Sequence, residues 1–96
     1  MRRCFLVCYD IADDKRLRKV HRIMCGYGEP WQYSVFHCFL KEIDLVRMQT
    51  QLEDIMNLKE DQVLILDLKN TDPNERPALS SLGRPVPPTP TGMLIV

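Results

Sequence analysis

Residues 3 to 9, Arg-Cys-Phe-Leu-Val-Cys-Tyr, are apolar at odd and even positions alike after the first. A strand of that pattern is hydrophobic on both faces and suits the centre of a sheet with cover on either side. The chain has 96 residues from which to supply that cover. A domain of this size buries only about two thirds of the surface its unfolded chain exposes, so a second copy would add to what one can bury. The strand ends on Asp10, and Lys15, Arg16, Arg18, Lys19 and Arg22 follow that carboxylate closely.

Asp13 or Asp14 can cap a helix here. Leu17, Val20, Met24 and Tyr27 recur behind it at helical spacing, Ile23 widens the stripe, and the basic residues fall largely on other faces. Gly26 and Gly28 are expected to end the helix, since glycine readily adopts the left-handed conformation past a last turn. Gln32 to Leu40 is rich in β-formers and predicts a second strand. A second helix is predicted from Asp44 to Asn57, with Leu45, Met48, Leu52 and Ile55 along one side. Val63 to Leu68 predicts a third strand, again apolar on both faces. This order starts a split βαβ unit, so the expected fold class is α+β, a ferredoxin-like sandwich.

That domain is expected to span residues 1–72. Residues 73–96 form a Pro-rich arm holding Pro73, Pro77, Pro85, Pro87, Pro88 and Pro90, with a short strand around Ala78 to Leu82 ended by Gly83. The arm closes on Met93-Leu94-Ile95-Val96. A terminus this apolar calls for a sheet edge, and the stiff arm is predicted to carry strand 93–96 onto a partner subunit, exchanging it within a homodimer.

Hydrophobic residues make up 45% of the chain and charged residues 27%, which is ordinary for a globular domain. No apolar run approaches the ~20 residues that span a bilayer, and the run behind Met1-Arg2-Arg3 is short of a signal peptide's core, so a cytoplasmic protein without a membrane partner is expected. Formal charge is zero, but Arg2, Arg3 and the five basic residues after Asp10 crowd the first quarter. Glu42, Asp44, Glu53, Asp54, Glu60 and Asp61 occupy the middle. Only the basic side would attract phosphate. Cys4, Cys8, Cys25 and Cys38 lie within apolar patterns rather than a disulfide framework. On one strand Cys4 and Cys8 would stand about 13 Å apart, too far to share a zinc ion.

Asp10 admits two readings. An aspartate at a strand end is commonly a turn former or cap. It is also a hard-cation ligand, and magnesium takes one or two carboxylates together with waters and phosphate oxygens. A two-fold axis near the strand end would bring a second Asp10 to the same ion, with the arginines and lysines flanking it to take phosphates. From the residues alone the basic helix reads first as a solvated face, and Tyr33-Ser34-Val35-Phe36 as core alternation with Ser34 in a backbone hydrogen bond. His21 and His37 have no second ligand at metal spacing. Trp31 suits an interface or a base. No Walker loop, nucleophile elbow or dinucleotide fingerprint occurs.

Tyr9-Asp10-Ile11 at a strand end, Asp14-Lys15-Arg16 opening a helix, Gly26-Tyr27-Gly28 and Gln32-Tyr33-Ser34-Val35-Phe36 together resemble the Cas-two (Cas2) family of CRISPR-associated proteins. Asp61-Gln62-Val63, Leu82-Gly83 and Leu94-Ile95-Val96 are similar to that family's later pattern. The resemblance implies a ferredoxin-like homodimer whose final strand crosses between subunits. It implies magnesium-dependent (or manganese-dependent) phosphodiester hydrolysis of single-stranded RNA or double-stranded DNA in some members. Asp10 matches the metal-binding aspartate, and Ser34 and Phe36 match positions implicated in activity. Arg16, Arg18, Lys15, Lys19 and Arg22 are the expected nucleic-acid contacts. It further implies a partnership with dimers of the CRISPR integrase in spacer acquisition and antiviral defence, as nuclease or as a non-catalytic DNA-binding scaffold. Pro30 and Trp31 depart from the polar residues many members carry there, and proline brings neither charge nor backbone donor.

Overall fold

The structure, a computed structural model, describes residues 1–68 and 78–85. Its elements are β1 (Arg3–Asp10), α1 (Asp14–Cys25), β2 (Gly28–Gln32), β3 (Val35–Leu40), α2 (Glu42–Ile55), β4 (Gln62–Asp67) and β5 (Ala78–Gly83). They form one antiparallel sheet in the order β2-β3-β1-β4-β5. β3 enters between β1 and β2, which is the split connection of a ferredoxin-like fold.

β1 is central, as its composition requires, with Leu6 opposite His37 on β3 and Leu66 on β4. The two faces of the sheet differ. Phe5 and Val7 of β1, Phe36 and Cys38 of β3, and Val63 of β4 are buried against Val20, Met24, Met48 and Leu52 of the helices. On the opposite face Cys4, Leu6, Cys8, Leu64 and Leu66 are half-buried and Phe39 is exposed. The two-sided cover read from the sequence is therefore half supplied by the described residues. Strand alternation puts Asp10 on this open face with Cys4, Leu6 and Cys8.

Several boundaries differ from the sequence expectation. The single strand from Gln32 to Leu40 is a hairpin: β2 and β3 join through Tyr33-Ser34, and the pairing register slips between Pro30 and Gln32, making Trp31 the extra residue of a bulge. Pro30 is tolerated because β2 is an edge strand. Gly28 opens β2 instead of ending α1, and a Cβ there would stand 2.5 Å from both Cys38 Sγ and the His37 carbonyl oxygen. Gly26 does follow the helix, but with φ −80° it stays right-handed and its N–H donates to the carbonyl of Ile23. Of the two capping candidates Asp13 is the cap, its carboxylate accepting from Arg16 N–H at 3.0 Å. α2 begins at Glu42, two residues before the predicted start, with Glu42 and Asp44 placed to complement the helix dipole.

β5, the strand expected within the 73–96 arm, pairs along its whole length with β4 of its own chain, from Ala78 opposite Asp67 to Gly83 opposite Gln62. Strand 93–96 and its predicted exchange lie outside the described residues. Among the described residues no helix is long and apolar enough to cross a membrane.

Candidate active site at the end of the central strand

The carboxyl end of β1 is shaped by a residue from another part of the chain. Asp61, just ahead of β4, is fully buried and charged, and four donors saturate its two oxygens. Ala12 N–H donates at 2.9 Å, Asn57 N–H at 2.9 Å, and the Arg16 guanidinium through Nε at 2.8 Å and Nη2 at 3.2 Å. Burial by itself would raise the Asp61 pKa, but the hydrogen bonds from Arg16, Ala12 and Asn57 outweigh it and hold the carboxyl below its ordinary value. Asp61 thus ties the β1–α1 loop to the α2–β4 loop.

This arrangement gives Arg16 a partner within the fold. Its guanidinium lies on Asp61 and, through Nη2, on Glu60 at 3.1 Å. With Nε and Nη2 engaged by carboxylates, Arg16 holds the loop from within the fold. Lys15, Arg18, Lys19 and Arg22 are exposed on α1 and have no carboxylate partner among the described residues. Arg18 and Arg22 also line a groove of about 800 Å³ between α1 and the β2–β3 turn, opposite Pro30, Gln32 and Tyr33. Its floor carries Tyr9, whose hydroxyl is hydrogen-bonded to His21 Nδ1 at 3.0 Å. Burial, with smaller contributions from Cys25 and Tyr33 nearby, raises the Tyr9 phenol further above neutrality.

Asp10 closes β1 with its side chain 74% exposed, and Arg84, just past β5, donates Nη2 to Asp10 Oδ2 at 2.7 Å. Ser34 lies beside the same strand end, half-buried, its carbonyl accepting the Tyr9 N–H at 3.1 Å. Its hydroxyl makes no hydrogen bond among the described residues. Phe36 is fully buried, stacked on Tyr9 at 6.1 Å and met by the His21 ring at 5.4 Å, so it supports those two rings from within the core.

Sequence reasoning missed Asp61 and Arg84 as members of this site. Asp61-Gln62-Val63 was visible as a motif, but an aspartate ahead of a strand ordinarily reads as a turn residue, and nothing local reveals a partner 45 positions away. Arg84 carried no signal at all.

Among the described residues no three metal-ligating side chains cluster. A lone exposed carboxylate nevertheless fits the sparse way magnesium is held, by one or two carboxylates with waters and phosphate oxygens, and excludes a closed all-protein cage. Burial raises the pKa of the Cys8 thiol and pushes that of Cys38 up to about 11, which disfavours the thiolate at both positions.

The family described as CRISPR associated protein Cas2 matches residues 2–76. A protein of Geobacter sulfurreducens named CRISPR-associated endoribonuclease Cas2 is 39% identical over 88 residues, 92% of each chain. One of Thermodesulfovibrio yellowstonii, named CRISPR-associated endoribonuclease Cas2 2, is 39% identical over 87 residues, 91% of this chain and 92% of its own. Among solved structures, the hypothetical protein TT1823 from Thermus thermophilus superposes with a TM-score of 0.70 at 29% identity, covering 83% of this chain and all of the other. Streptococcus pyogenes Cas2 superposes at 0.58 with 32% identity, covering 62% of this chain and 78% of its own.

Proposed function

This chain belongs to the Cas2 family of CRISPR-associated proteins, and from that premise we propose that it is a magnesium-dependent endonuclease of CRISPR adaptation. The observation that carries this reading is the exposed Asp10 carboxylate at the end of the central strand, and the groove rimmed by Arg18 and Arg22 lies over its neighbour Tyr9 on the helical face. Asp10 would hold magnesium, or manganese in its place. The bound ion supplies Lewis-acid polarisation of a phosphodiester and offsets its charge. Arg18 and Arg22 hold phosphates along the groove, and Lys15 and Lys19 extend the cationic wall.

A homodimer completes the site in this reading. The open apolar face requires cover, a second copy offers the same face, and Asp10 stands on it. Joining two such faces gives two carboxylates to one ion without another acidic motif. The relatives' names point to RNA, and cleavage of a labelled single-stranded RNA is expected only with magnesium or manganese. Asp10→Ala should lower the rate by about 100-fold. An Asp10→Ala dimer that cuts at the wild-type rate would remove the carboxylate from the chemistry.

The exposed cations of α1 favour a second role, a DNA-binding scaffold that joins dimers of the CRISPR integrase. Reversing the charge of Arg18, Lys19 and Arg22 together should weaken duplex binding and flatten its salt dependence, by about 0.9 in log-log slope for each phosphate no longer neutralised. Binding that keeps its affinity and slope would exclude this helix from the interface. Asp10→Ala leaves this role intact, so the two readings separate.

A further inference from the structure

The contact between Arg84 and Asp10 bears on how that carboxylate is used, given Asp10 as the metal ligand proposed above. The two residues are 74 positions apart, and the stem that brings them together is fixed. Gly83 has φ +89°, and a Cβ there would stand 2.1 Å from the Asp61 carbonyl oxygen. The Arg84 N–H donates to that same oxygen at 2.8 Å, and the Gln62 side-chain amide donates to the Arg84 carbonyl at 3.1 Å. The buried Asp61 therefore organises both sides of the pair: its carboxylate holds the loop after Asp10, and its carbonyl holds the backbone of Arg84.

The pair itself is incomplete. Only Nη2 of Arg84 reaches Asp10, Nε is buried with no hydrogen-bond partner among the described residues, and the two side chains are 40% and 74% exposed. The neighbouring Arg16 shows what a committed arginine looks like, with two nitrogens on one buried carboxylate. Arg84 has the position of a partner without the grip of one. A buried N–H left without an acceptor favours a conformer in which the guanidinium has moved.

We propose that Arg84 is the resident counter-cation of Asp10, occupying the carboxylate in the metal-free protein and leaving it when a divalent cation binds. Two cations on one carboxylate repel, so Arg84 and the ion compete for Asp10. Once displaced, the guanidinium is free for the phosphate of a bound strand, which satisfies its donors and restores charge balance. A phosphate that draws Arg84 away raises the affinity of Asp10 for the ion, and by linkage the ion raises the affinity for the phosphate equally.

The test is a manganese titration of the full chain, with free Mn²⁺ read by electron paramagnetic resonance and without nucleic acid. Arg84→Gln is expected to bind Mn²⁺ roughly two- to five-fold more tightly than wild type, the strength of an exposed ion pair. Arg84→Lys, which keeps the charge, should bind as wild type does. Asp10→Asn should abolish this uptake whichever residue occupies position 84. Equal affinities for wild type and Arg84→Gln, with uptake lost in Asp10→Asn, would overturn the competition and leave Asp10 a ligand. No uptake by wild type, or uptake unaffected by Asp10→Asn, would overturn the metal assignment and this inference together. Circular dichroism confirms that each variant is folded before titration.

Discussion

Four donors converge on Asp61, and its replacement shows how much the end of β1 depends on them. Asp61→Asn keeps the shape but removes the charge and turns one acceptor into a donor facing a donor, so a loss of about 2–3 kcal/mol is expected in urea denaturation. The pH dependence has a definite sign. A carboxyl whose folded pKa lies below its unfolded value near 3.8 contributes its stabilisation above that value and loses it as the pH falls through the folded pKa. Wild type should therefore lose stability more steeply below about pH 4 than Asp61→Asn; parallel acid limbs would contradict the assignment. At this scale the sequence is least informative. Asp10 could be singled out because it ends an apolar run, and Arg18 and Arg22 because helical spacing turns them outward. Arg16 occurs in the same run of charges, and only the fold reveals that its partner is a buried aspartate from another loop.

Among the elements, β2 is held close to its neighbour. Its first residue admits no side chain, since a Cβ at Gly28 would collide with Cys38 Sγ and the backbone of His37. Gly28→Ala should push β2 away from β3 at a cost of about 1–3 kcal/mol, speed amide exchange along Gly28–Gln32, and weaken oligonucleotide binding by moving the groove wall at Pro30 and Gln32. Unchanged exchange across β2 would show that the hairpin absorbs the methyl. The two helices and the strands at β1 and β4 were legible because their apolar residues repeat at 3.6 positions or run unbroken. The hairpin was not, because Tyr33-Ser34 carries none of the glycine or asparagine that marks a tight turn and Pro30 argues against a strand. Gly28, read as a helix terminator, was in fact the local sign of a close strand approach.

For the whole molecule the decisive question is what covers the open face. Leu6 lies at its centre, between His37 and Leu66, with its side chain directed away from the helices. Leu6→Lys should leave the helical core intact by circular dichroism, shift sedimentation from dimer to monomer, and abolish cleavage if two Asp10 carboxylates are needed. A Leu6→Lys protein that still sediments as a dimer would place the contact elsewhere. The sequence announced this need for a second cover through the two-sided apolarity of β1, but no local pattern states whether a helix, the chain's own tail or another copy provides it. The lone tryptophan sits at the margin of that face, 57% exposed and stacked on His37 at 4.7 Å with the rings 8° from parallel. The chain thus contains a built-in optical reporter: emission that moves to shorter wavelength as concentration rises marks contact reaching the β2 rim, whereas constant emission confines it to the middle strands.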